Sequence, residues 1–289
     1  MKLFNFFKYF LESIFIFLLF FFFKILGIKL SSNVSGKIFT LIGPLFRSKK
    51  LIKNNLKLAL PNASDVDIKN YSNKMWEYYG KILAEYIFLK NFRSDLENKN
   101  IEIIGEEILK NIKENNERVI FVSGHFDNFE LMAMMIEKSG INLSAIYRPL
   151  NNFFINKIME NIRKKYICKN QVKKGRSNIR ELLKLFKDGS SIALMIDQRV
   201  SESAQINFFN KKAYTTTIPA QFVKKFNCRI VPIYIDRIKD INFRIKIFEP
   251  MKFNENEDIE KITIKLNLWL EEMIKNNPSK WIWSHNRWK

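Results

Sequence analysis

From Ile101 onward the chain alternates between two hydrophobic periods. Short runs rich in β-branched and aromatic residues, "IEIIG", "RVIFVS", "NLSAIY", "SSIALMID" and "RIVPIYID", are separated by stretches whose apolar residues recur at helical spacing. Strands alternating with helices predict an α/β fold: a mostly parallel central sheet flanked by helices. "NFRIKIFEP" adds a predicted edge strand, and "DIEKITIKLNLWLEEMIKNN" a closing amphipathic helix. Upstream, "KKLIKNNLKLALPNAS" reads as a basic helix stopped by Pro61. "DVDIKNYSNKMWEYYGKILAEYIFLK" reads as a longer one, capped at Asp65 or Asp67, so a helical N-terminal layer precedes the sheet.

The first thirty residues follow neither period. The run from Ile14 to Phe23 is wholly apolar and has no polar face, which argues against a buried core helix. It is too short to cross a bilayer. Tyr9 to Ile28 is long enough, with Glu12 and Lys24 near its ends, so a tilted span and an interfacial helix both remain open. No small-residue cleavage site marks a signal peptide, and Lys2 and Lys8 precede the run. Lys29, Lys37, Arg47, Lys49 and Lys50 gather after it, which favours a body on the cytoplasmic face. The expected organisation is an N-terminal membrane anchor over residues 1–30 and one domain over residues 31–289, without a repeat or linker.

Composition narrows the class. A chain of 289 residues, 47% hydrophobic, can bury a large core. Cys168 and Cys228 have neither disulfide-framework nor zinc-ligand spacing, and a reducing compartment suits them. The net charge of +20 attracts nucleic acid, anionic lipid or an acidic protein. Part of it reflects a Lys-, Asn-, Ile- and Phe-rich usage expected of AT-rich coding sequence, so it singles out no partner. No arginine-rich arm, zinc finger or phosphate-binding glycine loop is present, which leaves nucleic-acid binding without a module.

The candidate chemistry begins at "SGHFDNFE", residues 123–130. His125 follows the strand "RVIFVS" and precedes the helix "ELMAMMIEK", the strand-to-helix turn where open α/β sheets meet ligands. Asp127 and Glu130 also have capping-box spacing, which would explain both carboxylates without catalysis. A metal site through His125, Asp127 and Glu130 is disfavoured because no second histidine is near. Serine hydrolysis through Ser123 lacks the G-x-S-x-G elbow.

Further strand ends carry polar groups. "YRPLNN" places Arg148 at the mouth of a strand, with Asn151 or Asn152 able to cap the next helix. "KKGRSNIREL" contributes Arg176, and "MIDQR" contributes Asp197, Gln198 and Arg199. "FFNKKAYTTTIPAQF" reads as a long loop before a helix with Pro219 in its first turn. Guanidinium groups at such positions suit phosphate, to which they donate two parallel hydrogen bonds.

"SGHFDNFE" resembles the H-x-x-x-x-(D/E) motif of the glycerol-phosphate and lysophospholipid acyltransferase superfamily, with His125 and Glu130 at its fixed positions. Within it the chain resembles the late lipid A biosynthesis acyltransferases, the lauroyl and myristoyl transferases. The likeness spans nearly the whole chain: the anchor, "NNLKLALP", the histidine motif, "YRPLNN", "MIDQ", "FFN", "IVPIYI" and the ending "WIWSHNRWK". Arg199 and Asn210 depart from it, where that family carries an acidic residue and a glycine.

The resemblance implies a membrane-associated O-acyltransferase on the cytoplasmic face of the inner membrane, using neither metal nor cofactor. Its donor would be an acyl-acyl carrier protein and its acceptor a Kdo-bearing lipid A precursor. His125 would act as general base with Glu130 orienting it, and N–H groups at the start of the 128–139 helix would serve as oxyanion donors. Arg148, Asn128 and Arg176 would bind substrate, with Asp197 and Gln198 supporting the site floor. The rivals are an acyltransferase for a lysophospholipid or aminolipid, and a membrane-tethered binding protein whose motif is only a cap.

Overall fold

A computed structural model describes residues 3–95, 97, 99–175, 178–200 and 203–289. Helix α1 (Leu3–Phe46) is broken once, at Gly27, whose φ of 72° and ψ of 166° leave helical space. Helix α2 (Lys49–Ala59) leads to α3 (Asp65–Glu85). The cap of α3 is Ser64 rather than Asp65 or Asp67. Its hydroxyl accepts from the Asp67 N–H while the Asp67 carboxylate accepts from the Ser64 N–H, a reciprocal capping box. The second half of α1 packs on α3 at a point where only glycine fits, since a Cβ on Gly80 would lie 2.3 Å from the Ser35 carbonyl oxygen. The short α4 (Leu89–Ser94) completes the helical layer.

The remainder runs β1 (Ile101–Ile104), α5 (Glu106–Glu114), β2 (Ile120–Ser123), α6 (Glu130–Lys138), β3 (Leu143–Tyr147), α7 (Phe153–Tyr166), β4 (Asn170–Lys173), α8 (Ile179–Lys187) and β5 (Ser191–Met195). It continues with β6 (Ala204–Phe208), β7 (Lys211–Thr215), α9 (Ile218–Phe226), β8 (Ile230–Lys239), β9 (Asn242–Ile247) and α10 (Ile259–Asn276). The described residues form a seven-stranded sheet in the order β1-β9-β8-β2-β5-β3-β4. Its pairings are parallel except β8 with β9. The α/β fold with a mostly parallel sheet and an apolar N-terminal helix is therefore borne out. At its centre β2 is buried at every position, as a strand covered on both faces must be.

Three details differ from the sequence reading. Strand β9 is interior, flanked by β1 and β8, rather than an edge. The segment "NQVK" is a strand, β4. The stretch read as a loop is the antiparallel hairpin β6–β7. Its turn is Phe209–Asn210, with φ of 52° and 57°, the two positive angles that a type I′ turn requires. Asn210 tolerates that conformation in place of glycine. Phe209 is held there by the Glu271 carboxylate, which accepts its N–H at 2.7 Å.

Candidate active site

The register of β2 on β5 builds the centre. Ser123 pairs with Met195, and the Ile196 N–H donates to the Ser123 carbonyl, so the two chains leave the sheet at the same level. Two residues beyond each strand, His125 and Asp197 therefore meet. The Asp197 carboxylate accepts from the His125 backbone N–H on Oδ2 and from the ring Nδ1 on Oδ1, each at 2.7 Å. Trp281 Nε1 donates to Oδ2 at 2.9 Å. Burial alone would raise the pKa of Asp197, but the opposed His125 charge and these hydrogen bonds hold it at about 2. A carboxylate only accepts, so Nδ1 carries a proton, and Nε2 is the ring nitrogen left to hold the lone pair when the imidazole is neutral.

That lone pair faces a cavity of about 840 Å³. The Phe129 ring packs edge-on against His125, with centroids 4.7 Å apart, and the Gln198 amide lies 3.4 Å from Nε2. Phe129, Met132, Ala133, Ile136, Ile146 and Ile167 line much of the wall. At the exposed rim stand Arg47, Arg148 and Lys174. The side chains of all three make no hydrogen bond or ion pair among the described residues, so three cations face one opening. The enclosure of the rim and then the Arg148 charge hold the Lys174 ammonium below its usual range.

Glu130 is engaged elsewhere. Its Oε1 accepts from Arg163 Nε and Nη2 at 2.9 and 2.6 Å. The Arg163 guanidinium lies between the Tyr86 and Tyr147 rings, 5.7 and 5.6 Å from their centroids. The expected His125–Glu130 contact is thus replaced by His125–Asp197. The reason is geometric: Glu130 opens α6 and turns toward α7, while strand register delivers Asp197 to the histidine.

The non-catalytic reading of the motif fares no better. Helix α6 has Phe129 at its cap and no side-chain capping bond. Asp127, at φ 39°, accepts instead from the Asn128 N–H and from the N–H and Nε of Arg237. Arg237 also donates to both oxygens of Glu85, to which the Ser32 hydroxyl and Asn128 Nδ2 donate as well. Burial would lower the pKa of Arg237, yet Asp127 and Glu85 lift it above its usual value. Asn128, expected to bind substrate, is buried, with its Nδ2 in a network that clamps the His125 loop onto α1, α3 and β8 and its Oδ1 unpartnered among the described residues. Most of the expected oxyanion donors are likewise occupied, the Glu130 N–H excepted. The N–H groups of Phe126, Asp127, Phe129, Leu131 and Met132 donate to backbone carbonyls, and that of Asn128 to Asp127.

Of the remaining expected site residues, Arg148 and Gln198 line the cavity, while Asp197 is fully buried behind the histidine. Arg176 lies outside the described residues. No group of three or more possible metal ligands occurs among the described residues. Trp281, Arg163, Lys174 and the Glu85–Arg237 pair were not singled out by the sequence. Trp281 and His285 belong to the ending "WIWSHNRWK", which Asn55 of "NNLKLALP" ties down by donating to the carbonyls of Trp283 and His285.

Comparison with known proteins assigns the family. The family model described as bacterial lipid A biosynthesis acyltransferase matches residues 1–289. The chain belongs to that family. It is 22% identical over 247 residues to the lipid A biosynthesis myristoyltransferase of Escherichia coli (strain K12), covering 84% of this chain and 75% of that one. It is 22% identical to the lipid A biosynthesis lauroyltransferase of the same organism over 249 residues, 84% of this chain and 79% of that one. Lipid A biosynthesis acyltransferase 2 of Shigella flexneri is 23% identical over 257 residues, 86% of this chain and 81% of that one. The chain is accordingly an acyltransferase of the O-acyl class, as the resemblance implied.

Proposed function

We propose that the protein moves a fatty acyl chain from an acyl carrier protein thioester to a hydroxyl of a lipid A precursor, at the cytoplasmic face of the inner membrane. His125 Nε2 takes the proton as the acceptor oxygen attacks the thioester carbonyl. The tetrahedral adduct then collapses, the C–S bond breaks, and the imidazolium returns its proton to the departing thiolate. Asp197 holds the ring in the required tautomer and stabilises its charged form. Gln198, beside Nε2, is the side chain best situated to donate to the carbonyl oxygen as it becomes an oxyanion. Glu130 acts at one remove, by fixing Arg163 in the cavity wall. The apolar wall suits an acyl chain, and Arg47, Arg148 and Lys174 suit acceptor phosphates. A basic surface also suits an acidic carrier.

The observation that carries this reading is the His125 ring, held through Nδ1 by Asp197 on the wall of a largely apolar cavity that Arg47, Arg148 and Lys174 also line. The test is mass spectrometry of products made by the purified protein from a lipid A precursor, with acyl carrier protein or coenzyme A thioesters as donors. The expected result is one added acyl chain from the carrier protein donor, lost by about 10²–10⁴-fold in rate with His125→Ala. Transfer only to lysophospholipid, or only from coenzyme A, would replace the proposed substrates.

A further inference from the structure

We propose that the apolar first half of α1 is not a membrane span but an in-plane helix, pinned to the body at both ends and embedded sideways in the bilayer beside the cavity mouth. Length does not distinguish the two modes. Phe4 to Ile25 measures about 32 Å at 1.5 Å per residue, close to the hydrocarbon thickness of about 30 Å. The attachment points do. At one end, Asn152, the cap of α7, donates to the Tyr9 carbonyl at 2.8 Å and to Glu12 at 3.2 Å, while the Ser13 hydroxyl donates to Asn152 Oδ1 at 3.2 Å. Phe6 and Phe10 pack on Phe154 with centroids 5.6 and 5.8 Å apart. At the other end, beyond Gly27, Ser32 donates to Glu85 and Ser35 to the Gly80 carbonyl, each at 2.6 Å. Between these ends Phe23 is buried at 2% exposure. A spanning helix would carry Tyr9 to the far side of the bilayer, some 30 Å from the body that holds it.

The outward face fits this placement. Phe4, Phe7, Leu11, Phe15, Leu18, Phe22 and Ile25 recur at three- and four-residue spacing, and all are at least 55% exposed. They make one apolar stripe, which Phe21 and the partly exposed Phe6, Phe10, Ile14 and Phe17 widen around the helix. The exposed Lys8, Lys24 and Lys29 flank it, a complement to anionic headgroups and an obstacle to a second copy of a chain with net charge +20. Leu150 and Phe153 extend the apolar face onto the body, each 41% exposed, and Leu150 also lines the cavity. The bilayer surface then meets the cavity rim, and a lipid acceptor reaches His125 by lateral diffusion without leaving the membrane.

The inference rests on the membrane association proposed above, so that is checked first: the full chain should sediment with membranes after a salt wash, and with phosphatidylglycerol vesicles after purification. Recovery as a soluble dimer that ignores such vesicles would overturn it. Topology is then read from a protease-cleavable tag ahead of residue 1 and another after residue 289. Both tags should be cut in inside-out vesicles and protected in spheroplasts, whereas opposite accessibility establishes a span and overturns the proposal. In membranes, Ser13→Cys with Asn152→Cys should form a disulfide on mild oxidation, with each single variant as the control for Cys168 and Cys228. Failure of that pair to cross-link, with both tags on one side, would overturn the pinning.

Discussion

At the scale of single residues, Asp197 fixes which nitrogen of the proposed base His125 carries the proton in the neutral ring, and one substitution exposes how. Its Oδ2 accepts two N–H groups, from the His125 backbone and Trp281, so the oxygen of an asparagine must take that place. The amide NH₂ then faces Nδ1 and donates to it, which moves the ring proton to Nε2 and removes the lone pair. Asp197→Asn should keep the fold and lower kcat by about 10⁴, the effect of a wrong tautomer in an Asp–His pair. At the rim, Arg148→Ala and Lys174→Ala should each raise KM for a phosphorylated acceptor about 10–100-fold, the worth of a charge-assisted hydrogen bond. An equal loss on the dephosphorylated acceptor would assign them to the donor. His285, on the cavity wall, is held at about 4 against an ordinary 6.5 by burial, with the Asp197 charge opposing and the His125, Arg287 and Lys174 charges adding to the depression. Its unfolded form takes up a proton before the folded form does, so stability falls as pH drops from about 6.5 to 4. Thermal melts across that window should slope less for His285→Asn than for the natural protein.

At the scale of elements, what was legible followed hydrophobic pattern and what was missed did not. The buried run "IFVS" and the helix-spaced segments announce themselves because burial on two faces or one stripe demands apolar residues. "NQVK" buries only Val172 and so gives no strand signal. The alternation of "NFRIKI" reports that one face of β9 is exposed, a pattern it shares with edge strands, yet β1 pairs along its free side. The hairpin β6–β7 escaped because its turn is Phe-Asn rather than Asn-Gly. Two element-level tests follow. Ser64→Ala should destabilise α3 by about 0.5–2 kcal/mol in denaturant melts. Arg237→Met should cost about 3–5 kcal/mol, because it leaves the buried carboxylates of Glu85 and Asp127 uncompensated. Its melting temperature should fall accordingly, and a near-neutral result would mean the clamp on the His125 loop is not under charge control.

At the scale of the whole molecule, the family and the reaction class were legible because short motifs kept their order along the chain. The partner of the histidine was not. Seventy-two residues separate His125 from Asp197, and only the pairing of β2 with β5 joins them, so motif spacing pointed to the nearer carboxylate, Glu130. The three rim cations come from the end of α1, the end of β3 and the loop after β4, again joined only by folding. The same holds for the clamp of Ser32, Glu85, Asp127 and Arg237, which links α1 to the His125 loop across four separate parts of the chain.

The claim that Asp197 rather than Glu130 sets the state of His125 is tested most directly by nitrogen-15 NMR of histidine-labelled protein, in which His125 and His285 are the only two signals. The expected result is an Nδ1–H ring for His125 in the natural protein and in Glu130→Gln, and an Nε2–H ring in Asp197→Asn. A tautomer that switches in Glu130→Gln and holds in Asp197→Asn would contradict it.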